Sequence, residues 1–152
     1  MNIINLRDAR GFFPVVADRI WNAFWQPAPL SAVETALHEV IAAAEFPFTL
    51  AALDGEQFLG TVTCIASDMD ERPLLGPWIA ALWVEPEARK SGVARTLVDT
   101  AVVKLLSQGN RSIYLYCKPQ MREFYVRLGW EVLEDEVGEG RSVVFVRHAH
   151  LA

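Results

Sequence analysis

The segment Val84-Glu85-Pro86-Glu87-Ala88-Arg89-Lys90-Ser91-Gly92-Val93-Ala94 leads from an apolar run, through a turn of small residues, into a stretch with helical spacing. Such a turn aims several unpaired backbone N–H groups, and the positive end of a helix dipole, at one point. An anion such as a pyrophosphate fits there. Gly92 lets the backbone approach a ligand closely, Ala94 is small enough not to obstruct it, and Arg89, Lys90 and Arg95 add positive charge to a chain that is otherwise acidic. The plainer alternative is an ordinary helix start with a solvated basic edge. Gly92-Val93-Ala94 has no following glycine at the dinucleotide-binding offset and no Gly-Lys-Ser/Thr ending of a P-loop, so nucleotide hydrolysis is not expected.

A second segment, Phe124-Tyr125-Val126-Arg127-Leu128-Gly129-Trp130, lies further along the chain. Taken together, the two resemble the GNAT superfamily of N-acetyltransferases. The first matches the family's [Arg/Gln]-x-x-Gly-x-[Gly/Ala] motif at Arg89, Gly92 and Ala94, and the second its Phe-Tyr-x-x-Leu-Gly-[Phe/Tyr/Trp] segment. The resemblance implies an α/β fold with a central mixed sheet, whose two parallel strands splay apart to admit pantetheine, flanked by about four helices. It also implies acetyl-CoA as cosubstrate. Backbone groups of Leu82, Trp83 and Val84 would meet the pantetheine, residues Arg89, Lys90, Ser91, Gly92, Val93, Ala94 and Arg95 would grip the pyrophosphate, and Tyr125 would protonate the departing thiolate. A phenol of pKa about 10 facing a thiol of pKa about 8.5 makes that transfer uphill by roughly 2 kcal/mol, so proton donation should accompany C–S cleavage. A backbone N–H between Leu82 and Val84 is the natural donor to the oxyanion. The plainer reading of Tyr125 is a core aromatic beside Phe124.

Two departures from the family pattern stand out. Lys118 occupies the position, seven residues before the tyrosine, where many relatives carry a cofactor-holding asparagine. The run Trp78 to Val84 holds no ionisable residue, so the general-base glutamate of some relatives is missing; Glu85 is the nearest carboxylate, either a proton relay through water or a solvated loop residue. At pH 7 a lysine-like amine costs roughly 4.6 kcal/mol to deprotonate, against roughly 1 to 1.4 kcal/mol for an α-amino group. A site without a base should therefore favour an α-amino group or another weakly basic amine.

The elements that must carry these residues can be read from periodicity. Met1 to Leu6 reads as a strand, and Phe12, Phe13, Val16, Ile20, Phe24 and Trp25 recur as one amphipathic helix. After Pro27 and Pro29, Ser31 and Glu34 form a capping box for a second helix, with Val33, Leu37, Val40, Ile41 and Ala44 inward and His38 at the rim. Phe48 to Leu53 and Gln57 to Ala66 pair as a hairpin about Asp54-Gly55. Ser67 to Gly76 is a polar loop, and Pro77 to Val84 is apolar enough to predict a strand covered on both faces. Val93 to Leu105 is a third helix and Ile113 to Cys117 a strand, which makes a parallel βαβ crossover. Pro119 opens a fourth helix stopped at Gly129, and Trp130 to Glu134 and Ser142 to His148 close the chain as a hairpin.

The whole, 152 residues and 52% apolar, suits a single domain over residues 1–152 with a packed core. The net charge of −5 argues against broad binding to nucleic acid or anionic lipid. No apolar run approaches the roughly 20 residues that span a bilayer. Arg7, Asp8 and Arg10 near the N-terminus, without a long apolar stretch, predict a cytoplasmic location. Cys64 and Cys117 have no CxxC spacing and read as buried thiols, so no metal site is expected. The expected function is an acetyl-CoA-dependent N-acetyltransferase acting by direct attack of a primary amine. The alternatives are a CoA-binding regulatory module without turnover and an interaction protein using exposed Trp and Phe residues. Trp21, Phe24 and Trp25 and the acidic loop at Asp68, Asp70 and Glu71 are candidates to shape the amine site, and a homodimer stays open.

Overall fold

Alternation of apolar and hydroxyl side chains builds the first strands. The computed structural model describes residues 1–149. In it β1 (Asn2–Asn5), β2 (Phe48–Asp54) and β3 (Gln57–Ile65) pair antiparallel; the β2–β3 turn falls on Gly55 and Glu56, one residue later than expected, because Asp54 still pairs with Gln57. Both faces of this hairpin are covered: the hydroxyls of Thr49 and Thr63, opposite each other, lie 2.8 Å apart, and Thr61 donates to the Leu50 carbonyl at 2.9 Å. Each buried hydroxyl thus escapes the roughly 1–3 kcal/mol cost of an unmet partner.

The predicted first helix is shorter than its apolar periodicity suggests. Two 3-10 turns (Leu6–Asp8 and Arg10–Phe12) precede α1 (Phe13–Ile20), and a wider π-type turn takes over at Trp21–Trp25. It stops at Gln26, which is extended, as the residue before a proline prefers. α2 (Leu30–Ala42) starts earlier than the capping box required: Pro29 is the N-cap, Ala32 N donates to its carbonyl at 3.0 Å, and no side chain caps the helix. Ser31 already lies inside the first turn, so the box with Glu34 does not form. Leu6, Val16, Ala17 and Ile20 pack with Val33, Leu37 and Ile41, and His38 stays exposed at the rim, its ring stacked on Phe13 at 4.3 Å.

β4 (Trp78–Val84), α3 (Val93–Ser107) and β5 (Ser112–Cys117) form the expected parallel crossover, with Trp78 opposite Tyr114. A 3-10 turn (Pro119–Met121) leads to α4 (Arg122–Arg127), and β6 (Glu131–Val137) and β7 (Ser142–His148) make the closing hairpin. The strand order is β1-β2-β3-β4-β5-β7-β6, a mixed sheet with four α-helices. β4 departs from the strand covered on both faces that its composition predicted. Trp78, Ile79 and Val84 are buried, but Ala80 to Trp83 are only half-buried, and Ala81 sits in the left-handed region at φ 51°. A left-handed L-residue costs about 1–2 kcal/mol and breaks the regular pleat, which an apolar run cannot announce.

By its contacts the chain gathers into two units, one of Met1–Cys64 with Ala81–Ala101 and one of Ile65–Ala80 with the residues from Val102 onward. The first holds the core just described. The second centres on Met69, Trp78, Val137 and Val144, with Trp78 Nε1 donating to the Leu75 carbonyl at 2.8 Å. Cys64 and Cys117 are both buried. Among the described residues no helix is long and apolar enough to cross a membrane.

Candidate active site

In the first unit, the exit of β4 is set by a close approach. A Cβ on Gly60 of β3 would stand 2.7 Å from the Trp83 carbonyl oxygen and 3.3 Å from the Val84 Cα, so only glycine lets the two strands come this near. Glu85 N donates to the Leu59 carbonyl at 2.8 Å, and a 3-10 turn (Pro86–Ala88) follows, with Ala88 N bonded to the Glu85 carbonyl at 2.9 Å. Arg89 then folds back on the strand end: its Nε donates to the Val84 carbonyl at 2.9 Å and its guanidinium lies over the Trp83 ring, 4.7 Å from the centroid. The terminal nitrogens of Arg89 have no hydrogen-bond partner among the described residues. Trp83 Nε1 is buried without a partner.

Ser91 shapes the turn by donating its hydroxyl to the Ala88 carbonyl at 2.5 Å. Gly92 has φ 86°, and a Cβ built on it would meet nothing within 4 Å. Thr96 bonds back to the Gly92 carbonyl through both its backbone N, at 3.0 Å, and its hydroxyl, at 2.9 Å. The amides of residues 92 to 95 are therefore the four that helix geometry leaves without an intrahelical acceptor. Buried Val93 anchors the helix start, while Lys90 is exposed at φ 64°. Arg95 contributes less than its charge suggested, because Asp99 sits 3.7 Å away on the next turn. Open space before a left-handed glycine, four aimed amides and two adjacent cations fit a pyrophosphate.

Glu85 is not the solvated loop carboxylate that the sequence offered as one reading. It is 8% exposed, and its Oε1 accepts from Arg19 Nε at 2.5 Å. Burying a carboxylate is costly unless it is paired, and the pairing comes from α1. This hydrogen bond is the leading cause that holds the Arg19 guanidinium even further above its ordinary pKa. Nothing in the sequence pointed to Arg19.

In the second unit, α4 presents Tyr125, 8% exposed, with its ring edge-on to Phe124 at 5.0 Å and tilted against Phe145 at 5.7 Å. Its hydroxyl has no hydrogen-bond partner among the described residues. Burial, and secondarily Cys117, push the phenol well above its usual pKa, and burial pushes the Cys117 thiol up to about 11. Both groups hold their protons at neutral pH, so Cys117 is not a ready nucleophile, and the raised phenol of Tyr125 makes proton transfer to a thiolate more uphill than an ordinary tyrosine would. Lys118, at the asparagine position, is exposed.

The acidic loop does gather. Asp68, Asp70 and Glu71 line a cavity of about 300 Å³ together with Tyr116, Glu139 and Ser142. Burial raises Asp68 to about 6 and, together with the nearby carboxylates, raises Tyr116 as well. The aromatic candidates lie in the first unit: Trp21 Nε1 donates to the Ala28 carbonyl at 2.6 Å, while Phe24 and Trp25 are exposed.

A model of the acetyltransferase (GNAT) family matches residues 16–130. No curated protein matches the chain. Similar solved structures include an aminoglycoside 6'-N-acetyltransferase complexed with coenzyme A, at 16% identity and TM-score 0.76, covering 97% of each chain. A dodecameric spermidine N-acetyltransferase from Vibrio cholerae aligns at 18% identity and TM-score 0.70, over 97% of this chain and 92% of that one. An acetyltransferase of the GNAT family from Staphylococcus aureus aligns at 16% identity and TM-score 0.69, over 97% and 98%. At such identities the likeness is one of fold. The family match, however, spans α1 through Trp130 and so takes in both the Gly92 turn and the Phe124 to Trp130 segment. On that ground the chain belongs to the GNAT family of acetyl-CoA-dependent acetyltransferases.

Proposed function

We propose that this chain moves an acetyl group from acetyl-CoA directly to the nitrogen of a primary amine, with no covalent enzyme intermediate. The observation that carries the reading is the mouth of α3, where Gly92 at φ 86° leaves open space before four unpaired amides. In this reading the amides of Gly92, Val93, Ala94 and Arg95, with the side chains of Arg89 and Lys90, hold the pyrophosphate. Main-chain groups of Leu82, Trp83 and Val84 hold the pantetheine amides. Acetyl-CoA, when bound, supplies an activated acyl carbon and a thiolate leaving group. A backbone N–H of the same strand donates to the acyl oxygen as charge develops there. Tyr125 gives its phenolic proton to the leaving sulfur as the C–S bond breaks, and the proton shed by the attacking nitrogen returns through water to the phenolate; the absence of a competing acceptor for that hydroxyl supports the role.

The acceptor in this reading is an amine bearing a second positive charge. What supports this is the carboxylate-lined cavity of the second unit, which suits an ammonium group. Aminoglycosides and spermidine, named for two of the similar structures, each carry more than one amine. The reacting nitrogen itself must be neutral, and the strand beside it offers no base, so a weakly basic amine on a molecule that keeps another ammonium fits best. Thiol release from acetyl-CoA, measured across spermidine, aminoglycosides, lysine and peptide α-amines, tests the proposal. Fastest turnover with multiply charged amines is expected; tight CoA binding without thiol release for any amine would refute transfer.

A further inference from the structure

We infer that Arg19 is a positioning residue of the acetyl-transfer site, acting through Glu85, and that Glu85 is the anchor of this tie rather than a proton carrier. The inference rests on the acetyltransferase reading above, but it concerns a contact that this reading does not use.

Residue 85 is the junction between β4 and the turn that ends at Gly92, and it is held from three directions. Its amide is bonded to Leu59 of β3, its carbonyl closes the 3-10 turn by accepting from Ala88, and its side chain is taken by Arg19 of α1. The first two are backbone contacts that many sequences could make. The third needs a side-chain oxygen acceptor at 85 and a guanidinium at 19, in a chain whose α1 otherwise meets its surroundings through Val16, Ala17 and Ile20. Arg19 also contacts Asp18 next to it, so one guanidinium balances two carboxylates. The arrangement suits an anchor: Glu85 is nearly closed to solvent, and an oxygen that would collect a proton is already accepting from Arg19. Without Arg19 the carboxylate would be buried and uncompensated, and relief would come from moving residue 85, which carries Val84 on one side and the phosphate turn on the other. Small displacements of a site of this kind are costly in rate, since a shift of about 1 Å can lose a hundredfold.

Calorimetric titration with CoA provides a readout that does not depend on turnover. Arg19→Ala and Glu85→Ala are each expected to raise the CoA Kd at least fivefold, and the double variant no further than either single one, because both cut the same tie. Glu85→Gln keeps an oxygen for Arg19 Nε and should bind CoA within about twofold of the native protein, with the pH profile of kcat/KM unchanged in shape. Arg19→Lys should recover part of the loss. Should the alanine variants not fold, the neutral pair Arg19→Gln with Glu85→Gln removes both charges and is expected to weaken CoA binding by a similar factor. Native CoA affinity in both Arg19→Ala and the neutral pair, or independent losses that multiply in the double variant, would overturn the tie. A limb of the pH profile that vanishes in Glu85→Gln would overturn the anchor role and make Glu85 the proton carrier. Failure of the acetyltransferase reading registers separately, as a native protein that binds CoA yet releases no thiol.

Discussion

Replacing Gly92 by alanine separates what a left-handed turn costs the fold from what it gives the ligand. Gly92 has φ 86° and open space where a Cβ would stand, so alanine there meets no protein atom. The cost to the fold is then backbone strain alone, about 1–2 kcal/mol for an L-residue in the left-handed region. For a chain of this size that corresponds to a Tm lower by roughly 2–8 °C. Gly109, which follows α3, provides a matched control: φ is 93° and a Cβ again meets nothing within 4 Å. Gly109→Ala should lose the same stability. The two variants should part company in calorimetric titration with acetyl-CoA, where Gly92→Ala weakens binding at least tenfold, equivalent to about 1.4 kcal/mol, and Gly109→Ala leaves it unchanged. Gly92→Val, bulkier and β-branched, should weaken binding further. Equal affinity in the two alanine variants would refute the argument that the space before Gly92 belongs to the pyrophosphate.

Tyr125→Phe should lower kcat tenfold or more in steady-state assays with little change in acetyl-CoA affinity, because phenylalanine keeps the contacts with Phe124 and Phe145 while the proton is lost; a native rate would return Tyr125 to the core. Gly60→Ala places a methyl 2.7 Å from the Trp83 carbonyl, so it should cost about 1–3 kcal/mol in urea melts and weaken CoA binding by displacing the strand exit. A native urea midpoint would mean the two strands have room to spare. Asp68 has its pKa raised by burial from 3.8 to about 6, so the native state binds the extra proton and stability falls as pH rises through that window. Asp68→Asn should accordingly gain about 2–3 kcal/mol at pH 7 and little below pH 4, read from thermal melts at the two pH values; an equal effect at both would show that the carboxylate's burial is not the cause.

Several parts of this protein are local in the chain, and the sequence determined them alone. The small-residue turn into α3, the β2–β3 hairpin around Gly55, the stop at Gly129 and the βαβ order all follow from periodicity and turn chemistry within a few residues. The Phe124 to Trp130 segment and the gathering of acidic residues at 68 to 71 were legible for the same reason. Tertiary structure decided the rest. Ser31 lost its capping role because α2 begins two residues earlier, behind Pro29. Ala81 adopts φ 51° inside a strand that reads as uniformly apolar, and its methyl packs against the core of the first unit. Gly60 matters because of a strand that follows much later, and Glu85 is an ion-paired, buried carboxylate because of an arginine 66 residues before it. Periodicity reports which face of an element is apolar. It carries no record of which distant backbone or charge will meet that element, and burial, pairing and strain at a site are set by those meetings.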